Sequence, residues 1–302
     1  VTPALLSLPD GRRLAWTACG DPAGHPVLAF HGTPACRLMF GPADAAARRL
    51  GLRLIAPDRP GYGLSDPQPG RTLRDWSADA ARLMDHLGIA AAPILAISGG
   101  GPYAVATAAG MPDRIRGLAL VSPLGEVGRP GAEKSMSVRD RALLLGLPSR
   151  PRLLRAGLRL VRRAFAAAPQ AALSLFAATL TAPDRRVLGT PAARELMVAM
   201  TREALRPGIE GAVSDLAIFS QPWGIAVASI AAPAVLWQGT DDAMVPAALA
   251  FDLARRLPAC RTIRLEGEGH FWVLENIEAV IAEVATLAHG GRPLSSSPDG
   301  RA

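Results

Sequence analysis

The chain has 302 residues, 49% of them apolar, and a formal charge of +7. That length and apolar share supply a sizeable core for one large domain, or a core with an insertion, and no apolar run without charge is long enough to suggest stable membrane insertion. The positive charge is almost all arginine, Lys134 being the one lysine; with no nucleic-acid motif beside it, it reads as compositional bias and no nucleic-acid partner is expected.

In chain order, residues 4–8 and 12–17 flank Pro9-Asp10-Gly11 and predict an N-terminal hairpin. A short apolar run at 27–30 ends in His31-Gly32-Thr33-Pro34. Residues 43–50 read as helix, 52–56 as a buried strand and 73–87 as an amphipathic helix. A strand at 94–97 runs into a serine, three glycines and a proline, and a helix follows over 102–109. Residues 117–121 are again a strand. The rhythm resumes with a strand at 234–238, a helix at 246–257, a strand at 262–265 and a helix at 272–288. Alternating strands and helices predict an α/β fold, a mostly parallel sheet with helices on both faces.

Between these halves, residues 125–221 show Arg- and Ala-rich helical patterns and no convincing strand. They are read as a helical cap, with 1–124 and 222–289 as the core and 290–302 as a tail of disordered composition. Within the cap, Arg152, Arg155, Arg159, Arg162 and Arg163 fall on one side of a helix and Leu154, Leu158, Val161 and Phe165 on another. This is expected to be a surface helix, with a membrane-facing or anion-attracting lid as the alternative.

Three cysteines, Cys19, Cys36 and Cys260, lie far apart and form no C-x-x-C pair. They predict reduced thiols, no zinc site and a cytoplasmic protein. The opening VTPALLSLPDGRR has no basic leader, so no signal peptide is expected.

The strand–serine–glycine–helix junction is a nucleophile elbow. Such a turn holds a serine hydroxyl out at the carboxyl end of a strand. The hydroxyl is a poor nucleophile until an imidazole takes its proton and a carboxylate orients that imidazole. Ser98 is therefore the candidate nucleophile. His270, in EGEGHFWVLEN after the last strand, is the candidate base, since loops at the carboxyl edge of an open sheet gather site residues. The acid is expected between them in WQGTDDAMVP. Asp242 is the better candidate and Asp241 the alternative. The oxyanion of a tetrahedral intermediate needs N–H donors. Those of Gly99 and Thr33 are expected, with Pro34 unable to donate. His31 is expected to support its loop. Ala96 stands where the usual G-x-S-x-G motif has glycine, and a single methyl there is expected to be tolerated.

FHGTP, PDRPGYGLSDP, ISGGGPYA, GTDDAMVP and GEGHF occur in the order found in the α/β-hydrolase superfamily, which the chain resembles over everything but the cap. The resemblance implies an eight-stranded, mostly parallel sheet with the cap inserted after the sixth strand. It also implies a structural role for the RPGYGLSD loop and no catalytic role for Asp58 or Asp66. Ser98 argues against haloalkane dehalogenases and epoxide hydrolases of this shape, which carry aspartate at the elbow. The expected function is serine hydrolysis of carboxylic esters, with no cofactor and no metal. The alternatives are thioester, lactone or C–C hydrolysis, acyl transfer or perhydrolysis at the same site, and a ligand receptor with vestigial activity. Met39, Phe40, Tyr103, Leu124, Trp223, Met244, Phe271 and Trp272 are candidates to line an apolar substrate pocket. The partner is expected to be a small apolar ester. The oligomeric state is not readable.

Overall fold

The computed structural model describes residues 2–290; the tail expected beyond that point lies outside the described residues. Eight strands form one sheet in the order β1-β2-β4-β3-β5-β6-β7-β8. They are β1 (Ala4–Ser7), β2 (Arg13–Gly20), β3 (His25–Phe30), β4 (Leu52–Pro57), β5 (Ala92–Ile97), β6 (Ile115–Val121), β7 (Ala234–Gly239) and β8 (Cys260–Leu265). β2 runs antiparallel to both β1 and β4, and the remaining pairs are parallel. The expected hairpin is β1–β2, joined through Gly11 at φ +85°.

Side-chain alternation divides the core between the two faces, as the period of two in a strand requires. Leu28 and Phe30 of β3, with Ile94 and Ala96 of β5, point to one face. There they meet Trp76 and Leu83 of α2 (Leu73–His86), Tyr103 of α3 (Gly100–Gly110) and Leu253 of α10 (Ala247–Arg256). Val27, Ala29, Leu95 and Ile97 point to the other. That face is covered by α1 (Asp44–Arg49), a 3-10 segment at Arg37–Ala43 and α11 (Val273–Ala288). Thr72 starts α2 with a capping box, its Oγ1 accepting from Asp75 N while Asp75 accepts from Thr72 N.

All the regular structure between β6 and β7 is helical, from short turns at 132–146, among them α4 (Val138–Arg141), to a last 3-10 turn at Val227–Ser229. The longer pieces are α5 (Pro151–Ala167), α6 (Pro169–Ala177), α7 (Ala182–Val187), α8 (Pro191–Ala204) and α9 (Glu210–Phe219). Proline stands at N1 or N2 of α5, α6, α7 and α8, where its missing N–H costs nothing. Of the expected apolar side of α5, Leu154 and Phe165 are buried and Leu158 is half-buried, whereas Val161 is exposed, as are Leu153 and Leu160 among the arginines.

β3, β5, β6 and β8 each begin two residues earlier than expected, and at two helices the difference from expectation has a local reason. α3 begins at Gly100, two residues ahead of Pro102, because proline is accommodated in a first turn. α1 shortens to six residues because the chain before it is wound as 3-10 around Pro42.

Candidate active site

β3 is flanked by β4 on one side and β5 on the other, so the connections leaving β3 and β5 diverge at their carboxyl ends. That divergence opens a crevice where ligands bind in open α/β sheets. Phe30 pairs with Ala96 across these strands, which brings the loops bearing Thr33 and Ser98 side by side. Ala96 itself is fully buried. Its methyl is accommodated between Phe30 and Leu120, its partners on the neighbouring strands.

Ser98 sits at φ +55°, a left-handed backbone that few L-residues adopt. Such strain persists only where the surroundings over-determine it. Here Ser98 N donates to Val121 O (2.9 Å), while Ser98 O accepts from Gly101 N (2.9 Å) and Leu124 N (3.0 Å). The glycines after it are required by close approach. A Cβ on Gly99 would lie 2.6 Å from Thr33 Oγ1, and one on Gly100 would lie 2.3 Å from Phe30 O.

Asp242 and His270 meet across the loops that follow β7 and β8, with His270 Nδ1 2.7 Å from Asp242 Oδ2. A carboxylate only accepts, so Nδ1 carries the proton and Nε2 is left as the basic nitrogen. Asp242 is fixed by three more donors: Gln238 Nε2 on Oδ2 (3.0 Å), and Met244 N (2.8 Å) and Val245 N (2.9 Å) on Oδ1. Burial pushes the Asp242 carboxyl up, but the imidazolium charge, the His270 hydrogen bond and the Val245 and Met244 amides outweigh it and hold it below the usual range. For His270, burial pushes down, and the charges of Asp242 and Asp184 with the Asp242 hydrogen bond outweigh that and raise it. Asp241 faces solvent, its N–H donating to Glu268 O.

Ser98 and His270 line the same cavity of about 260 Å³. Among the described residues Ser98 Oγ has no hydrogen bond, to His270 or elsewhere; such catalytic contacts are often open in the absence of substrate. The Thr33 and Gly99 amides likewise donate to no acceptor among the described residues, and the contact of Gly99 with Thr33 sets them close together. His31 is buried behind this loop. Its Nε2 accepts from Arg59 N (3.0 Å), so its Nδ1 donates to Gly32 O (2.8 Å). Burial, then the Arg59 charge, holds His31 well below the ordinary imidazole range, so it stays neutral. Asp58 is buried against Arg37, and Asp66 pairs with Arg13.

Of the pocket candidates, Met39, Met244 and Phe271 line the cavity. Phe40, Tyr103, Leu124, Trp223 and Trp272 do not. Phe40 packs under the sheet on the α11 face, and Trp272 packs at the edge of the same cluster. Leu124 and Trp223 belong to the opposite core cluster. Tyr103 is drawn away from the crevice by a hydrogen bond to Asp215 Oδ1 (2.5 Å). Much of the remaining wall comes from the helices between β6 and β7: Leu158, Val161 and Phe165 of α5, Phe176 of α6, and Leu196, Met197, Met200 and Thr201 of α8; α11 adds Val273, Leu274 and Ile277. The apolar spacing of Leu158, Val161 and Phe165 was the available sequence signal for part of that wall.

Two fully buried acids between β6 and β7 were not singled out from the sequence. Asp184 of α7 accepts from Phe271 N (2.8 Å), directly behind His270. Asp215 of α9 lies behind Thr33. A lone acid in the otherwise apolar stretch AVSDLAIF was the signal for Asp215. Among the described residues no group of three or more His, Cys, Asp or Glu gathers as a metal site, and no helix is long and apolar enough to cross a membrane.

The sheet order, the strained serine at the end of β5 and the acid–histidine pair beyond β7 and β8 define an α/β-hydrolase architecture. The alpha/beta hydrolase fold family matches residues 25–277, and the chain belongs to that family. Among solved structures, an alpha/beta hydrolase fold protein from Nakamurella multipartita is 25% identical, with a TM-score of 0.69 over 96% of this chain and 99% of that one. An esterase from Exiguobacterium antarcticum is 17% identical, with a TM-score of 0.71 over 95% and 100% of the two chains, a likeness of fold. The uncharacterized hydrolase YcgS of Bacillus subtilis is 35% identical over 114 residues, 37% of this chain and 39% of that protein. The 2-hydroxymuconate semialdehyde hydrolase of Pseudomonas putida is 37% identical over 107 residues, 34% and 37% of the two. The matched stretches span well under half the length of these two relatives.

Proposed function

We propose that the chain is a serine hydrolase of uncharged carboxylic esters, with the helices between β6 and β7 acting as a cap over the acyl site. The observation that carries this reading is His270, hydrogen-bonded to Asp242 behind it, lining the same apolar cavity as the strained Ser98. Ser98 Oγ attacks the acyl carbon as His270 Nε2 takes its proton. Asp242 holds the ring and stabilises the imidazolium. The carbonyl oxygen becomes an oxyanion between the Thr33 and Gly99 amides. The C–O bond to the alcohol then breaks, and the alkoxide leaves with the proton from His270. Water attacks the acyl-enzyme, giving its proton to His270, and the acid departs as Ser98 recovers its hydrogen.

The wall supports an apolar acyl group. Thr33, Ser98, Thr201 and His270 are its polar side chains, and among the described residues no carboxylate or guanidinium lines it. That composition disfavours an aminopeptidase reading, because a substrate ammonium would find no partner there.

The test compares p-nitrophenyl acetate, butyrate and octanoate on the wild type and on Ser98→Ala. Ser98→Ala is expected to lower kcat/KM by about 10³-fold or more. Each methylene that finds room in the cavity is expected to raise kcat/KM by up to about 4-fold, its transfer free energy being about 0.8 kcal/mol. Hydrolysis that survives Ser98→Ala defeats the mechanism.

A further inference from the structure

Asp215 is completely buried and accepts five side-chain hydrogen bonds. Thr33 Oγ1 (2.6 Å), Arg59 Nη2 (2.8 Å) and Tyr62 OH (2.9 Å) reach Oδ2, while Arg71 Nη2 (2.5 Å) and Tyr103 OH (2.5 Å) reach Oδ1. The acceptor belongs to α9 of the insertion, and every donor belongs to the sheet core. Thr33 follows β3, Arg59 and Tyr62 follow β4, Arg71 precedes α2, and Tyr103 lies on α3. Burial pushes the Asp215 carboxyl up, but the two guanidiniums overcome that and hold it well below the usual carboxylate range, so it is ionised.

A network this complete could serve as mortar alone. Its aim at Thr33 goes further. The Thr33 hydroxyl accepts from Arg59 Nη2 (2.9 Å) and donates to Asp215, so its rotor is committed. Arg59 also donates to the carbonyls of His31 and Gly32, the two residues before Thr33. The loop is therefore gripped through its side chain and its carbonyls, and the Thr33 N–H alone is left over. A donor held in place before reaction is what makes an oxyanion site effective.

We propose that Asp215 is a positioning residue which, through the Thr33 hydroxyl and Arg59, aims the Thr33 N–H at the oxyanion. The cap thereby sets the electrophilic half of the site as well as the acyl pocket. This inference rests on the ester-hydrolase reading above.

The experiment uses the full chain with p-nitrophenyl butyrate and a trifluoromethyl ketone of matching chain length, whose adduct with Ser98 carries an oxyanion. Thr33→Val keeps the branched shape and every buried charge and removes only the hydroxyl link. It is expected to lower kcat about 10-fold, to leave KM within about 2-fold and to weaken the ketone about 10-fold, because the donor is loosened rather than deleted. Thr33→Ser restores the hydroxyl and is expected to bring kcat back to within about 2-fold of wild type. Asp215→Asn, if it folds, is expected to lose more kcat than Thr33→Val. If it does not fold, the two threonine variants decide. A wild-type kcat and ketone affinity in Thr33→Val, with Ser98→Ala inactive, overturns the positioning role. Activity retained in Ser98→Ala would instead strike the ester-hydrolase reading itself.

Discussion

Asp241 and Asp242 are neighbours in the chain with opposite surroundings. Asp241 is exposed, whereas Asp242 lies against His270 and takes three further hydrogen bonds. Asp242→Asn is therefore expected to cost about 10³–10⁴-fold in kcat, because an amide at that position no longer enforces the Nδ1–H tautomer. Asp241→Asn is expected to stay within about 2-fold, and steady-state kinetics on both variants checks the pair. The pH profile belongs to the same scale. In the proposed mechanism His270 must be neutral to accept the Ser98 proton, and its folded value is raised above the ordinary 6.5. Activity should therefore fall as pH drops through a value above 6.5. The Asp242 charge is the leading cause that raises it, so the acid limb in Asp242→Asn should move to lower pH. A limb that stays in place would show that another group controls it.

At the scale of elements, the short helix α7 has a role out of proportion to its six residues. Asp184 is fully buried and accepts from Phe271 N, and Gly269 passes so close that a Cβ there would lie 2.2 Å from Asp184 Oδ1. The loop carrying His270 is thus seated on the insertion. Asp184→Ala leaves the Phe271 N–H without its acceptor, which costs about 1–3 kcal/mol for a buried donor. Because His270 is the adjacent residue, a drop of about 10-fold in kcat is expected as well. Urea denaturation and kcat together test this, and a variant unchanged in both would show that the loop holds its shape without α7. Glu203 of α8 makes a similar link, pairing with Arg37 (2.6 Å), which in turn holds buried Asp58.

At the scale of the whole molecule, the cavity beside Ser98 belongs to no single segment. Met39 comes from the chain after β3, Met244 from that after β7, Phe271 from that after β8, and α5, α6, α8 and the start of α11 supply further wall. Its volume of about 260 Å³ should set the upper length of the acyl chain. Met197→Trp, in the α8 wall, is expected to lower kcat/KM for octanoate at least about 10-fold relative to acetate, since an overfilled site cannot take the longer chain without strain. A parallel change for both esters would place Met197 outside the acyl path.

The strand and helix periods, the ordered motifs and the turn chemistry were legible along the chain because each is a local property. Short continuous apolar runs declared the central strands, the serine–glycine junction declared the elbow, and the order of Ser98, Asp242 and His270 pointed to the three groups. What lay beyond one dimension was decided by the fold. The choice of Asp242 over Asp241 depends on which carboxylate faces an imidazole 28 residues further on. The division of the pocket candidates depends on which side of a strand or helix each faces. Phe40 and Tyr103 are apolar or aromatic residues close to site motifs, yet both pack away from the crevice. Asp184 and Asp215 carry no motif at all. Their roles follow from long-range contacts in which a buried carboxylate must find donors, and only the tertiary structure determines that those donors are the loops holding His270 and Thr33.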